Sequence, residues 1–195
     1  MVEQDFCEDF TQGKIVIFGK LQSKPAYTSK NIQCFPSYSN TLKNLVVTKW
    51  RTFLLLLKYP TRCKILWNEV RQLKGIYHKF QWWSRYVPVL LYLPDIFHVQ
   101  WAKGLDDWMW VQDFDIKLVL SLRGAHINYS PIADAALATM YRENFPKVDA
   151  FHAVSKAIGL EAERYGAAKD KIQVVYSGLP LEQKATSNAT PNTIF

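Results

Sequence analysis

The feature that most constrains this chain is a pattern that occurs four times between Pro94 and Gly178. A short apolar run is followed by a polar or glycine break and then by a stretch with helical spacing. Each run has the length and the β-branched or aromatic content of a strand buried on both faces, which is typical of parallel sheets. The pattern predicts an α/β fold with a parallel sheet flanked by helices. The runs are Ile96–Val99, Lys117–Leu122, 150–154 and 172–176.

The breaks after these runs are the positions at which function is expected. In an open parallel sheet, loops and helix N-termini converge at the carboxyl ends of the strands, and ligands bind there. The breaks contain residues 101–104, residues 123–126, Ser155, and Ser177 with Gly178. Residues 101–112, which include the first break, are aromatic and acidic and are expected to pack over the sheet as a helix.

The break Arg123-Gly124-Ala125-His126 is the strongest of these candidates. Glycine lets the backbone turn sharply and lets a ligand approach closely. Arginine offers a fixed fork of donors for phosphate, carboxylate or sugar oxygens, and histidine can donate or accept a hydrogen bond near neutral pH. The alternative is a plain turn in which Arg123 pairs with an acid.

His98 and Ser155 each have a structural and a functional interpretation. His98 lies within the first run, where it is either a core residue satisfied by hydrogen bonds or a side chain that faces the cleft. Ser155 fits the cap of a helix over about 156–165 that Gly166 ends. A capped helix N-terminus at this edge also suits an anionic or hydroxyl-rich ligand. Another helix is expected from Pro131 to about Asn144.

The net charge of +7 is concentrated in residues 49–85, which hold nine Lys or Arg residues and one acid. Pro60 divides this basic, aromatic segment, and helical spacing predicts helices over about 41–58 and about 61–77, the second capped by Thr61. The segment is interpreted either as ordinary surface helices covering a sheet or as an interfacial surface that contacts anionic lipid headgroups. Nucleic-acid binding has less support, because no recognised nucleic-acid motif is present. The candidate membrane contacts are Trp50, Arg51, Lys58, Arg62, Lys64, Arg71 and Lys74.

Composition bounds the remaining possibilities. A chain of 195 residues, 49% of them hydrophobic, can bury the core of a single domain. The three cysteines are widely spaced and match no metal-ligand spacing, so no metal site and a reduced, cytoplasmic compartment are expected. The acidic N-terminus shows no secretory signal, and the aliphatic run at 53–57 is too short to span a bilayer. No self-contained catalytic constellation is visible.

Four segments in order resemble the N-terminal half of a GT-B glycosyltransferase of the glycosyltransferase 4 family. Residues 94–102 (PDIFHVQWA) resemble the family's PDIIHVHFA strand, and residues 121–124 (SLRG) resemble its SLRG or HG turn. Residues 151–155 (FHAVS) resemble its AVS strand and helix cap, and residues 165–179 resemble its yG…kKI.Vi.nGvD segment. Together these matches cover a little under half of the chain.

The resemblance implies two Rossmann-like domains with a cleft between them. In the family, the N-terminal domain binds the acceptor, and the C-terminal domain holds most of the nucleotide-sugar donor, which is a substrate; no metal or other cofactor is implied. By position, Arg123 and Gly124 would stand at the turn near the transferred sugar, and Ser155, Ser177 and Gly178 would line the cleft. Arginine replaces the histidine of the commoner motif, so no catalytic residue is carried over, and His126 lies near the motif but outside it.

The resemblance is incomplete at both ends. Residues 14–19 resemble the family's second strand, so the family's first strand, glycine-rich loop and first helix have no counterpart in this sequence. The family's donor domain has no counterpart in it either. The resemblance therefore implies a truncated acceptor domain over 14–180, between a polar segment (1–13) and a polar tail (181–195).

Such a domain is expected to be inactive alone and to need a companion chain that carries the donor-binding half. A glycan or lipid-linked sugar is the expected acceptor. Family members with such acceptors often touch the inner membrane through basic, aromatic surfaces of this half, which favours a peripheral location. The alternative function is a non-enzymatic α/β module that binds a membrane surface or a partner protein.

Overall fold

The four predicted strands form one parallel sheet, which confirms the predicted Rossmann-like α/β fold. A second, two-stranded parallel sheet consists of β1 (Ile15–Gly19), predicted from residues 14–19, and β2 (Ile32–Pro36), which was not predicted. The larger sheet has the strand order β3 (Ile96–Val99), β4 (Lys117–Leu122), β5 (Ala150–Ala153), β6 (Ile172–Val174).

The structure, a computed structural model, describes residues 13–19, 31–38 and 40–176. The described residues divide into two compact units. The first contains the described residues up to Val99 together with Gly104–Val119, and the second contains Gln100–Lys103 together with residues 120–176.

Three long helices follow the small sheet in the first unit. They are α1 (Thr41–Lys58), α2 (Pro60–Arg71) and α3 (Ile76–Tyr92). Asn40 caps α1 by accepting a hydrogen bond from the backbone N–H of Lys43 at 3.1 Å. The helices pack through apolar faces, and Leu55, Leu66 and Leu90 are completely buried.

The prediction for the second of these helices was wrong in its bounds. The helix begins at Pro60, so Thr61 lies inside it and does not cap it. It ends at Arg71 and does not continue to Tyr77, because Gly75 adopts a φ of +82° and a new helix starts after it.

Burial along the strands also differs from the prediction that each is buried on both faces. In β3, Ile96 and His98 are exposed whereas Phe97 and Val99 are buried. This strand lies at the edge of the sheet, where one face need not be covered. In β4, by contrast, every residue from Leu120 to Leu122 is buried.

The stretch expected to form a helix after β3 consists of 3₁₀ turns over Ala102–Gly104 and Asp106–Phe114. Asp115, with a φ of +60°, ends the second turn. Trp110 and Val111 are buried, so this stretch still supplies core residues to its unit.

Short helices surround the strands of the second unit. They are α4 (Ala125–Asn128), α5 (Ser130–Ala133), α6 (Ala135–Asn144) and α7 (Lys156–Arg164). The single helix predicted from Pro131 to Asn144 is interrupted, because Asp134 is extended and its carboxylate accepts hydrogen bonds from the N–H groups of Ala136 and Leu137. The Ser155 cap of α7 is confirmed, and Gly166 follows the helix with a φ of +93°.

An aromatic core stabilises the second unit. The rings of Tyr141 and Phe145 stack with centroids 4.7 Å apart, and Phe145 lies 5.3 Å from Phe151. All three side chains are at most 1% exposed. This core is tied to α4, because the Tyr141 hydroxyl also donates a hydrogen bond to the backbone carbonyl of His126.

Candidate functional site

The chain turns sharply at the carboxyl end of β4. Gly124 has a φ of +40° and a ψ of −123°, a conformation that favours glycine. Its carbonyl accepts hydrogen bonds from the N–H groups of Ile127 and Asn128, both at 3.2 Å, so α4 starts directly after the turn. Arg123 and Gly124 are both exposed, as a ligand-binding turn requires.

Arg123 lies beside the residues that follow β3. Its guanidinium donates a hydrogen bond of 3.0 Å to the side-chain oxygen of Gln100 and lies 5.8 Å from the centre of the Trp101 ring. Gln100 is neutral, so this contact leaves the positive charge of Arg123 uncompensated. The predicted alternative was a plain turn in which Arg123 pairs with an acid. In this contact the partner is the neutral side chain of Gln100 instead.

His126 also contacts Trp101. Its ring meets the Trp101 ring edge to face, with centroids 5.0 Å apart and an interplanar angle of 72°. Its backbone carbonyl accepts a hydrogen bond of 2.9 Å from the buried Tyr141 hydroxyl, which fixes its position. Among the described residues, Nδ1 of His126 is buried and has no hydrogen-bond partner. A buried polar atom without a partner costs about 1–3 kcal/mol and calls for an explanation.

We refer to Trp101, Arg123, Gly124 and His126 as the β4-edge cluster. Trp101 is 53% exposed, although tryptophan is the residue type with the largest apolar side chain. The cluster thus offers an aromatic surface, a fixed fork of donors and an imidazole nitrogen within a few ångströms. The sequence pattern predicted residue 101 as one of the functional positions but not its contacts with Arg123 and His126. β3 and β4 are neighbours in the sheet, and that strand order would have predicted that the residues following the two strands lie close together.

The other predicted binding residues have separate surroundings. Ser155 Oγ accepts a hydrogen bond of 3.3 Å from the N–H of Ile158, so its oxygen acts as a helix cap. His98 is exposed, which contradicts its interpretation as a core residue. Ser177 and Gly178 lie outside the described residues. A ligand contact for any of these residues stays a prediction.

A polar network that the sequence pattern did not predict connects β4, β5 and the residue that follows β6. Ser121 Oγ and His152 Nδ1 share a hydrogen bond of 3.1 Å, and His152 Nε2 lies 3.3 Å from the carbonyl oxygen of Val175. Ser121 is completely buried, so its hydroxyl links β4 to β5 and is not an accessible nucleophile. A serine within a buried apolar strand was the sequence signal for this network.

The predicted membrane contacts divide into two groups. Two arginines bind within their own unit. Arg62 donates to the carbonyl of Leu90 at 3.2 Å. Arg51 lies over the ring of Phe35, and burial lowers the pKa of its guanidinium. The exposed members are Trp50, Lys58, Lys64, Arg71 and Lys74.

Two of the clefts among the described residues belong to the first unit. One, of about 340 Å³, lies where β1 and β2 end and includes Gly19, Ser37 and Arg85 in its lining. The other, of about 540 Å³, lies between α2 and α3 and is mainly apolar, with Trp67 and Trp83 in its walls. Both volumes fall in the range of ligand pockets, but neither cleft contains a residue predicted to bind substrate.

Comparison with protein-family models and with curated proteins finds no match to this chain. The resemblance to the glycosyltransferase 4 family therefore stays a prediction. Within the described part of the chain, no cluster of His, Cys, Asp and Glu side chains could hold a metal ion. No helix in that part combines the length and apolar character needed to cross a membrane.

Proposed function

We propose that this chain is the acceptor-binding half of a glycosyltransferase 4-like enzyme, and that the β4-edge cluster binds a sugar ring of a glycan or lipid-linked acceptor. The observation that supports the proposal best is the exposed Trp101 ring beside Arg123 and His126. All three side chains lie at the carboxyl edge of parallel strands, where α/β proteins bind their ligands.

Each side chain has a chemical task in this proposal. The C–H face of a sugar ring is apolar and stacks on an exposed indole, whereas its hydroxyl groups need hydrogen-bond partners. Arg123 supplies several donors in a rigid plane. The half-buried imidazole of His126 is proposed to hydrogen-bond one hydroxyl through its other ring nitrogen, Nε2, because Nδ1 has no accessible surface.

Gly124 keeps the approach to this surface open. A Cβ atom built at Gly124 would have no heavy atom within 4 Å, so the backbone turn is accessible from outside. The turn presents its peptide groups beside Arg123, and a ligand can approach the backbone closely there. Gly124 thus has two proposed roles: its backbone conformation sets the direction of the turn, and its lack of a side chain lets a ligand approach.

Sugar transfer would need more than this half. In the family that the chain resembles, most contacts to the nucleotide-sugar donor come from the C-terminal domain, including the glutamates of its ExxxxxxxE motif. No segment of the 195 residues resembles that domain. We therefore expect a companion polypeptide or further domain to bind the donor, and no nucleotide-sugar turnover by these 195 residues alone.

Calorimetric titration with maltose, cellobiose and lactose tests acceptor binding. We expect at least one disaccharide to bind, and Trp101→Ala to weaken that binding at least tenfold. Trp67→Ala is the matched control, because Trp67 is similarly exposed but lies in the other unit. Equal losses in the two variants, or no binding of any of the three sugars, would contradict the proposal.

A separate assay tests the expected inactivity. The purified chain is incubated with UDP-glucose, and release of UDP is followed by chromatography. We expect no release above the buffer control. Steady turnover that Arg123→Ala abolishes would show that the chain is active without a donor-binding half.

A further inference from the structure

We infer that the apolar cleft between α2 and α3 binds a small aromatic carboxylate. The inference does not rest on the proposed sugar binding, because the cleft lies in the first unit and contains no residue of the β4-edge cluster. It assigns one class of ligand to a site that the proposed function does not use.

The cleft lies beside the turn that joins the two helices. Gly75 reverses the chain there, and α3 begins directly after it. From α3, the side chains of Ile76, Phe80 and Trp83 line the cleft, and their spacing of four and three residues places them on one face of the helix. Val70 of α2 is only 1% exposed and forms part of the floor. The volume of about 540 Å³ suits a small organic ligand.

Two indole rings in the walls favour an aromatic ligand. Trp67 of α2 and Trp83 of α3 meet at an angle of 73°, with ring centroids 6.1 Å apart. The indole N–H of Trp83 donates a hydrogen bond of 2.8 Å to Thr52 Oγ1, which orients the ring and satisfies its only donor. Trp83 therefore offers apolar ring surface to a ligand. A flat aromatic ligand gains from stacked or edge-to-face contacts with such rings, a gain that an aliphatic chain lacks.

The unit leaves large apolar side chains of the cleft uncovered. Trp67 is 55% exposed and Ile76 is 89% exposed, although both line the cleft. Removing such surface from water is favourable, and a concave site concentrates that gain on a ligand that fits it. The apolar lining thus supplies the affinity, and a polar group in the lining must supply the orientation.

Charge selects a carboxylate as that partner group. Among the described residues that line the cleft, Lys79 is the only charged one, and it is half-buried. It follows Ile76 by three residues and precedes Trp83 by four, so its ammonium group belongs to the same helix face as the apolar wall. Arg71 and Lys74 precede α3, and residues 71–79 include no acid. A single negative charge is therefore attracted to this cleft, whereas a cationic ligand is repelled.

Calorimetric titration of the full chain with three probes tests the inference. The probes are 1-naphthoate, the neutral 1-naphthalenemethanol and the aliphatic octanoate. We expect 1-naphthoate to bind most tightly. The neutral alcohol should bind about threefold to fivefold more weakly, because it keeps the aromatic contacts and loses the attraction to Lys79. Octanoate should also bind more weakly than 1-naphthoate, because it keeps the charge and loses the aromatic contacts.

Two variants separate the aromatic from the electrostatic contribution. Trp67→Ala should weaken the binding of 1-naphthoate about tenfold, because one aromatic wall is lost. Lys79→Gln should weaken 1-naphthoate about threefold to fivefold and leave 1-naphthalenemethanol unchanged. The matched controls are Trp101→Ala, which removes a similarly exposed indole from the other unit, and Lys64→Gln, which removes an exposed lysine of α2 that does not line the cleft. Both controls should bind 1-naphthoate as the wild type does, and circular dichroism should show all variants folded.

Four outcomes would overturn the inference. They are no binding of 1-naphthoate, equal affinity for 1-naphthoate and its neutral alcohol, unchanged binding in Trp67→Ala, and an equal loss in Trp101→Ala. Octanoate that binds as tightly as 1-naphthoate would identify an acyl chain as the occupant and would refute the aromatic assignment.

Discussion

Gly124→Ala is the substitution that tests the turn of the β4-edge cluster most sharply. A Cβ at this position has no heavy atom within 4 Å, so the substitution creates no clash. Its effect must come from the backbone, because a φ of +40° with a ψ of −123° is unfavourable for alanine. Gly104→Ala is the matched control: its Cβ also meets nothing within 4 Å, and its φ is not positive.

The two variants should change stability in opposite directions. Holding a non-glycine residue in a sparsely populated region costs about 1–3 kcal/mol. Replacing glycine by alanine where the backbone is compatible stabilises a protein by about 0.4–1 kcal/mol, because the unfolded chain loses freedom. We therefore expect Gly124→Ala to lower the free energy of unfolding by about 1–2 kcal/mol, whereas Gly104→Ala leaves it unchanged or slightly raised.

Urea unfolding followed by circular dichroism measures both variants. The m-value should stay constant, so that a shift of the midpoint reports stability alone. In thermal unfolding, a difference of about 2 kcal/mol between the variants corresponds to about 4–8 °C for a chain of this size. Equal stability of Gly124→Ala and Gly104→Ala would refute the assignment of a strained, glycine-specific turn after β4.

Other perturbations probe the packing of the second unit and one half-buried acid. Gly159→Val should cost about 1–3 kcal/mol in urea unfolding, because a Cβ there already comes within 3.2 Å of Ile172 Cγ2; unchanged stability would contradict the packing of α7 on β6. Tyr141→Phe should cost about 1 kcal/mol, since it removes the donor to the His126 carbonyl, and an unchanged melting temperature would exclude that bond. Burial, together with repulsion from the negative charge of Asp106, raises the pKa of the Asp107 carboxyl above its ordinary 3.8. Folding therefore favours the protonated form, and stability falls as the pH rises from 3.8 to the pKa of the folded state. Asp107→Asn should therefore be more stable than the wild type at pH 7 and lose this advantage below pH 3.8; an advantage that persists at low pH would contradict the linkage.

Local sequence patterns predicted the strands and caps whose causes lie close together in the chain. β4 was predicted with its observed bounds, because its apolar run has a clear break at Arg123. Ser155 was predicted as a cap, because a serine before a helical pattern has a short-range role. Both features depend on residues within one turn or one strand.

Features that depend on competing local bonds or on neighbours in space were predicted less well. The helix expected from Pro131 is interrupted because the Asp134 carboxylate bonds to the following N–H groups, a competition that apolar spacing does not reveal. The contact between Trp101 and His126 joins residues 25 positions apart, across the ends of two strands. The tie between Tyr141 and the His126 carbonyl likewise depends on how α6 packs.

Saturation-transfer difference NMR of the chain with the disaccharide that binds most tightly tests sugar binding at the β4-edge cluster most directly. Irradiation of aromatic protons should transfer saturation to the C–H protons of the sugar ring, because the proposal stacks that ring on Trp101. The transfer should vanish in Trp101→Ala and persist in Trp67→Ala. Equal transfer in Trp101→Ala and the wild type would contradict the assignment of this surface to sugar binding.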